Sequence, residues 1–419
     1  MRTITFVLFL FFFYSSVSNG QNIFSAVQNG DLQAVVSLLN NDPTLVDSVS
    51  TQGNTPLHMA AYFGIPRLVR YLIDAGADVN ANNDYQRSPL IFANASGSLE
   101  SAKILLEKGT RIDSRDDHGR TPLHWVAIQG QSDMAKFLIA QGADVHVLDD
   151  EQKTPLHWAA RQSNVEVARV LIEKGALVNV IDDHSRTPLF IASWEGSMEM
   201  VQLLIENHAV VDARYLGAAS PLTTAAVADH NDICKYLVEQ GARVNLFCNM
   251  HVTPLYPAVY NNNLEMVDYY LNHKAKVNYR DIAGRSPLNI AVRDGYTDVA
   301  KKLVKAGADA GILDPDSKRN LLHVAAANGR NDMLTFFVDQ GLDMNLRDRE
   351  GFTPLDYAIK HQHPQTSKLL RELGAHRGDY HPDNPNDPWQ ISAEGEALLV
   401  KLRNKTWGIR TQSAFMVFG

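Results

Sequence analysis

Hydrophobic and polar positions follow one pattern along the chain, and this pattern recurs every 33 residues. Each unit opens with Thr or Ser, then Pro, then apolar residues at helical spacing, as in TPLHWAARQ at 154–162. A second helical run follows, as in VEVARVLIEKGA at 165–176, and an Asp- and Gly-rich turn leads to the next unit. The pattern predicts two helices and a connecting finger per unit, and a fixed period of this size indicates a solenoid.

The first residues of each unit are those that begin a helix. A Thr or Ser hydroxyl accepts an otherwise unpaired backbone N–H at the N-cap, and Pro fits the first helical position. The spacing is 33 residues except for one step of 34 before Asn320. A degenerate first copy starts at Asn22, so we predict eleven copies over residues 22–376. The other ten start at Thr55, Ser88, Thr121, Thr154, Thr187, Ser220, Thr253, Ser286, Asn320 and Thr353.

Nine positions after the cap, a residue suited to positive φ predicts the turn between the two helices. It is Gly64, Gly97, Gly130, Gly196, Gly295, Gly329, Asp229 or Asn262. With the TPLH and GADVN segments, these residues resemble the ankyrin repeat. The resemblance implies an all-α solenoid of stacked helix-turn-helix units with short β-hairpin fingers, and protein binding through the fingers and the inner helix surface. The copies at 22–54 and 353–376 depart from the pattern, as capping units do.

The fourth position of the unit is often histidine, for example His157, and two units place a tryptophan after it, Trp125 and Trp158. Such a pair is compatible with a general base, a metal ligand or a ring that stacks on a ligand. Ile91 and Phe190 occupy the same position in other units, and neither is a base or a ligand. We therefore interpret the histidines as framework and the tryptophans as packing between repeats, and we predict no catalytic residue, cofactor or metal.

Positions at which the repeats differ are the better candidates for partner binding, because exposed aromatic residues are enriched in interface hot spots. On the first helices these are Trp194 and Tyr260, with Tyr62 and Phe63 as rivals that alternatively cover the core. Two fingers are apolar, which indicates either a contact patch or mutual packing; they carry Tyr215, Leu216, Phe247, Met250 and Val252. Acid–base pairs in the other fingers, such as Asp117 with Arg120 and Asp150 with Lys153, we expect to be solvated.

The first 20 residues have the layout of a secretory signal peptide, with Arg2 before an apolar run from Ile4 to Tyr14 and small residues after it. An uncleaved anchor is the competing interpretation. We expect a protein that is secreted or in the secretory pathway, or periplasmic if bacterial, without membrane insertion after signal cleavage. Asn94 and Asn404 lie in glycosylation sequons.

Composition narrows the class of protein further. The formal net charge is −8 and no basic run occurs, which argues against a nucleic-acid partner. We find no P-loop, dinucleotide-binding, HExxH or GxSxG motif. Cys234 and Cys248 are the two cysteines; we expect them unpaired because a helix separates their levels, with Cys248 as an exposed thiol.

Residues 377–419 follow the repeats as a Pro- and Asp-rich linker and a tail, with a possible short helix at 393–404. The tripeptide Arg377-Gly378-Asp379 resembles an integrin-binding sequence. Our prediction is a non-catalytic scaffold that binds another protein. The alternatives are an effector, toxin-like or adhesion factor that acts on other cells and, in a different class, an enzyme with a site in the tail.

Overall fold

The computed structural model describes residues 22–213, 219–248 and 250–378, and these contain 22 α-helices and no strand. A 3-10 helix, Pro43–Asp47, follows α2. The helices belong to two compact units that divide between Asn249 and Met250. The first unit contains α1 (Ile23–Gln28), α2 (Leu32–Asn41), α3 (Pro56–Tyr62), α4 (Pro66–Asp74), α5 (Pro89–Ser96), α6 (Leu99–Glu107), α7 (Pro122–Gln129), α8 (Ser132–Ala140), α9 (Pro155–Gln162), α10 (Val165–Glu173), α11 (Pro188–Glu195), α12 (Met198–Glu206), α13 (Pro221–Val227) and α14 (Asn231–Glu239). The second unit contains α15 (Leu255–Tyr260), α16 (Leu264–Asn272), α17 (Pro287–Asp294), α18 (Thr297–Lys305), α19 (Leu321–Ala327), α20 (Asn331–Asp339), α21 (Pro354–Lys360) and α22 (Pro364–Glu372).

Each repeat contributes one odd-numbered helix, its first helix, and one even-numbered helix, its second helix. First helices pack on first helices of the neighbouring repeats, as α9 does on α7 and α11, and second helices pack in the same way, as α10 does on α8 and α12. Apolar residues at helical spacing form the contact; in α10 the buried residues are Val167, Ala168, Val170 and Leu171. Burial of each such Val or Leu side chain contributes about 1.5–3 kcal/mol to folding. The helix-turn-helix solenoid predicted from the 33-residue period is confirmed within each unit.

The histidine at the fourth position belongs to the framework. In α9 the Nδ1 atom of His157 accepts the backbone N–H of the N-cap Thr154 at 3.1 Å, so the ring proton lies on Nε2. That N–H donates to the carbonyl oxygen of Arg186, 29 residues further on, at 3.1 Å. His58, His124 and His323 bond in the same way. The ring therefore caps its own helix and ties it to the finger of the next repeat.

The turn between the two helices also follows the sequence prediction. All eight residues predicted to take positive φ do so, including Asp229 at 61° and Asn262 at 53°. Ser163 and Gln362 occupy the equivalent position, each with φ of 58°. The sequence did not predict positive φ for these two residues, because neither residue type favours the left-handed conformation.

The fingers are turns rather than strands in the described residues. The finger at residues 149–153 is closed by a backbone hydrogen bond from the Asp149 N–H to the Lys153 carbonyl oxygen, at 3.0 Å. Its link to the preceding finger is the bond from the Asp150 N–H to the His118 carbonyl oxygen, at 3.1 Å. A strand ladder needs a series of such bonds, so the predicted β-hairpin is reduced here to its turn.

The last repeat ends the stack by changing the residue at the histidine position. Asp356 in α21 accepts the N–H of its N-cap Thr353 at 3.0 Å. It also accepts two donors from the chain that leaves the repeat, the Gly378 N–H at 2.7 Å and the Arg377 Nε at 3.1 Å. A buried carboxylate thus receives donors from residues 377–378, where an internal histidine would donate to the next finger.

Candidate partner-binding surfaces

The finger aspartates organise the surface beside the first helices. Asp116 lies five residues before the N-cap Thr121 and is buried. One of its carboxylate oxygens accepts the N–H groups of His118 and Arg120, at 3.0 and 2.9 Å. The other accepts the Arg120 Nε at 2.9 Å and the indole N–H of Trp125 at 3.0 Å. One carboxylate therefore shapes the finger and attaches it to α7.

The next repeat repeats this arrangement with a lysine. Asp149 accepts the Lys153 N–H at 2.8 Å and the indole N–H of Trp158 at 2.8 Å. Basic groups cover the indole ring: the Lys153 Nζ lies 5.0 Å from its centroid and the Arg161 guanidinium carbon 5.4 Å. These are distances of cation–π contact.

The two tryptophans therefore bridge repeats, as the sequence predicted, and they also bind the fingers. Trp125 is contacted by guanidinium groups of two successive fingers, Arg87 at 4.7 Å and Arg120 at 4.6 Å. The ion pairs expected from the sequence, which start at Asp117 and Asp150, are not those that the described residues form. Arg120 instead pairs with Asp116 at 2.9 Å, because that carboxylate is held inside the turn.

The second unit lacks tryptophan at this position, and a cleft takes its place. Ile290 and Val324 occupy the position of Trp125, and both line a cleft of about 260 Å³. Its walls also include Arg285, Asn289, Arg293, Asp314, Ser317, Arg319, His323, Ala327, Asn328 and Tyr357. Without an indole to cover it, the side chain of Arg285 is 47% exposed, against 13% for Arg120. Arg319 lies over the ring of Tyr357 at 4.6 Å and its side chain is 36% exposed.

Carboxylates lie behind these arginines. The Asp281 side chain is 4% exposed and pairs with Arg285 at 2.7 Å. It also accepts the Tyr256 hydroxyl at 2.9 Å. Burial alone would raise the pKa of Asp281, but hydrogen bonds from Arg285 and Tyr256 outweigh burial and lower it. Asp348 stands in the same way behind Arg319, at 3.2 Å.

Trp194, a candidate in the first unit, is half-buried near the end of α11, and its carbonyl oxygen accepts the Nε2–H of His230 at 3.0 Å. Phe247 is exposed on its finger. Tyr62 and Phe63 pack edge-on against each other at 5.4 Å, and Tyr62 also contacts Phe92 at 6.1 Å. The alternative in which these two rings cover the core agrees with those contacts.

Two of the three candidates in the second unit, Tyr260 and Met250, are exposed. Tyr260, at the end of α15, is 42% exposed, and Met250 on the preceding finger is 38% exposed. The Met250 carbonyl oxygen accepts the N–H of Ile282 in the next finger at 3.3 Å. Ile282 is 67% exposed and was missed from the sequence, where only the two most apolar fingers were considered. Val252 is half-buried.

Two predictions disagree with the structure. Asn94 is 0% exposed and its amide donates to the Pro122 carbonyl oxygen at 3.3 Å, so the folded repeat has no room for a glycan there. Cys248 is buried rather than exposed, because it occupies the finger position at which other repeats place aspartate. Cys234 is buried as well and, as predicted, no disulfide joins the two cysteines.

Several predictions concern residues outside the described ranges: the signal peptide at 1–20, Tyr215, Leu216, Asp379, the helix at 393–404 and Asn404. Arg377, the first residue of the adhesion-like tripeptide, is described. Its Nε donates to Asp356 at 3.1 Å. That contact uses the guanidinium that adhesion through the tripeptide would need.

An exposed cluster joins two fingers of the first unit. Glu151, Asp183 and His184 each place one potential ligand atom within 4.8 Å of the others. The carboxylates already have partners, since Lys153 is paired with Glu151 and the His184 Nδ1 lies 2.5 Å from the Asp183 carboxylate. The cluster is therefore a network of ion pairs between fingers.

Comparison with known proteins agrees with this architecture of a helical repeat scaffold. The family described as "Ankyrin repeats (3 copies)" matches overlapping segments that together span most of the chain: 23–116, 88–149, 123–215, 178–248, 208–281, 243–314 and 288–379. The chain belongs to the ankyrin-repeat family. Ankyrin repeats are in general protein-interaction scaffolds and typically non-catalytic.

Similar curated proteins match over short segments. One is a homolog of transient receptor potential cation channel subfamily A member 1 from Caenorhabditis elegans, 30% identical over 21% of this chain and 7% of that protein. Another is inversin from Gallus gallus, 36% identical over 22% and 8%. A third is a putative ankyrin repeat-containing protein from Treponema pallidum (strain Nichols), 30% identical over 29% and 38%. The matches thus cover well under two thirds of each relative.

Within residues 22–213, 219–248 and 250–378, no helix combines the length and the apolar character that crossing a bilayer requires.

Proposed function

We propose that this protein is a secreted, non-catalytic scaffold that binds a partner protein through its first helices and finger tips. The observation that carries the proposal is the exposure of Met250, Tyr260 and Ile282 in consecutive repeats. Apolar and aromatic side chains on such a surface are typical of binding hot spots, because a partner that covers them removes apolar area from water.

Rigid positioning supports the same function. Tyr260 ends a helix that packs on α16 and α17, and the finger of Met250 is bonded to the next finger. A preformed surface loses little conformational entropy on binding. Phe247 and Trp194 extend the candidate surface of the first unit on the same elements, a finger and a first helix.

Site-specific crosslinking tests the proposal. The chain would carry a photoreactive phenylalanine analogue at Tyr260 and, as a matched control, at Lys301, an exposed residue of the second helix α18. In culture medium or extract of the secretory compartment, we expect one defined adduct from position 260 and none from position 301. The Ile282→Ser variant should reduce the yield of that adduct. Equal labelling from both positions would contradict the proposal.

Secretion is a separate part of the proposal and rests on residues 1–20. Full-length protein would be expressed in its host cells and its mature N-terminus sequenced. We expect export with cleavage before Gln21. Intracellular protein that retains Met1 would refute the secretory assignment while leaving partner binding open.

A further inference from the structure

The cleft of the second unit combines three guanidinium groups with an apolar floor, and this combination is absent from the equivalent position of the first unit as far as that unit is described. Arg285, Arg293 and Arg319 line it together with Ile290 and Val324. We propose that this cleft receives an acidic side chain from an extended segment of the partner protein. The inference rests on the proposed function and names the chemistry of the partner.

Geometry leaves donors available to a carboxylate. Arg285 and Arg293 each pair side-on through Nε and Nη2, at 2.8 and 2.7 Å; Arg285 contacts one oxygen of Asp281 and Arg293 both oxygens of Asp294. A guanidinium has five N–H donors, so each side-on pair leaves the second Nη group. Asp281 and Asp348 are buried behind Arg285 and Arg319, whereas the Asp294 side chain beside Arg293 is 25% exposed. The three arginine side chains are 34–47% exposed.

Comparison between the two units explains the specificity. In the first unit, Trp125 lies against the arginines of successive fingers, and Arg120 is 13% exposed. In the second, Ile290 and Val324 occupy the tryptophan position and the Arg285 side chain is 47% exposed, while Arg319 lies over the ring of Tyr357 at 4.6 Å and is still 36% exposed. The cleft suits a side chain rather than a folded domain, because its volume is about 260 Å³.

The charge distribution favours the same occupant. Residues 22–249 contain 17 Lys and Arg against 27 Asp and Glu, whereas residues 250–378 contain 17 against 15. The net negative charge of residues 22–249 repels an acidic segment, and the net positive charge of residues 250–378 attracts it. This difference would direct the segment toward the second range as the two proteins approach each other. Asp314 also lines the cleft, but its Oδ1 accepts the Ser317 N–H and hydroxyl at 2.7 Å, which directs this oxygen into the turn.

Tyr260 occupies in α15 the position that Arg293 occupies in α17, seven residues after the first residue of its repeat, and these two helices pack on each other. An extended segment that places an apolar residue at Tyr260 and an acidic residue at Arg293 would engage both. The arginines would fix the orientation of the bound segment, because the paired N–H groups of a guanidinium bind a carboxylate with defined geometry.

The test uses the full chain and a fluorescein-labelled peptide of about 12 residues. The peptide has Glu at every third position among Gly and Ser, so that it can bind as an extended segment. Fluorescence anisotropy would report binding. We expect saturable binding that weakens with added salt, and roughly tenfold weaker binding for Arg293→Gln. The Gln counterpart of the peptide should not bind.

Arg161→Gln is the matched control, because Arg161 lies seven residues after its N-cap, as Arg293 does, but in the first unit. We expect it to change affinity by less than about twofold, as surface changes away from a site do. Arg293→Lys should bind more weakly than the parent chain, since lysine lacks the planar fork. Equal losses for Arg161→Gln and Arg293→Gln would overturn the inference.

Two further outcomes separate this inference from the proposed function. If position 260 crosslinks a partner while the Glu peptide neither binds nor competes, the scaffold function stands and the acidic specificity is wrong. A single-stranded oligonucleotide that binds more tightly than the peptide, and loses binding in Arg293→Gln, would also overturn it. Competition of the Glu peptide with the crosslinked partner supports both.

Discussion

The indole N–H of Trp158 donates a hydrogen bond to the buried carboxylate of Asp149 at a distance of 2.8 Å, and this bond fastens a finger to its first helix. Replacement of Trp158 by Phe keeps an aromatic ring but removes the donor. Because the acceptor is charged, we expect a loss of about 1.5–3 kcal/mol in the free energy of unfolding. Urea denaturation followed by far-ultraviolet circular dichroism measures it.

Tyr260→Phe provides the control for this substitution, since it removes a polar atom from an exposed ring. We expect a change within about 0.5 kcal/mol, typical of surface sites. If Trp158→Phe changes stability as little as Tyr260→Phe does, the finger bond contributes nothing and Trp158 acts by packing alone.

The role of Asp149 marks a limit of the sequence prediction. The 33-residue period predicted the helix pairs, and the occupants of the histidine position predicted a framework role, because both are local or repeated patterns. Asp149 and Asp150 look alike in sequence, and only the closed turn buries the first and exposes the second. Burial of Asn94 likewise depends on a contact with the next repeat, the bond to the Pro122 carbonyl oxygen, which a single repeat does not reveal.

Acid should destabilise the protein through its buried histidines. Burial lowers the pKa of His58, His124 and His157 to about 4, below the ordinary 6.5. The unfolded chain therefore binds more protons between these values, so stability is full above pH 6.5 and falls as the pH drops toward 4. Each histidine should lower the free energy of unfolding by on the order of 3 kcal/mol as the pH falls from 6.5 to 4.

His157→Asn isolates one such group, because Asn289 shows that asparagine can cap the same helix turn: its Oδ1 accepts the Ser286 N–H at 3.0 Å. The variant should be less stable at pH 7, since it loses the bond to Arg186, and its stability should depend less on pH. Carboxylates of Asp149 and Asp182 near His157 oppose the shift and reduce its size. A pH-independent urea midpoint between pH 7 and 4.5 in the parent chain would contradict the prediction.

Gly196 provides a test of the contact between neighbouring repeats. It has φ of 78°, and a Cβ there would lie 2.4 Å from the His230 ring. Gly196→Ala should lower the free energy of unfolding by about 1 kcal/mol through backbone strain. Overpacking against His230 should lower it by about 1–3 kcal/mol more. Thermal or urea unfolding measures the sum.

Gly241→Ala is the matched control, because Gly241 has φ of 93° and a Cβ at that position would meet nothing within 4 Å. We expect the strain alone, about 1 kcal/mol. Adding His230→Ala to Gly196→Ala should remove the overpacking, although it also removes the bond to Trp194. Equal losses for the two glycines would show that the His230 ring moves aside freely.

The final repeat yields a prediction that runs against the repeat pattern. Asp356 occupies the position at which other repeats place histidine, yet Asp356→His should destabilise the last repeat. The carboxylate accepts the Gly378 N–H at 2.7 Å and the Arg377 Nε at 3.1 Å. A neutral imidazole that caps Thr353 carries its proton on Nε2, so it would face these two donors with an N–H group instead of an acceptor. Loss of bonds to a buried charge costs about 1.5–3 kcal/mol, and hydrogen exchange should become faster in α21 and α22.

Asn289→His is the control, because the finger that follows α17 supplies carbonyl groups as the finger after His323 does, so this change should be tolerated. If both substitutions are equally tolerated, Arg377 and Gly378 do not close the end of the stack.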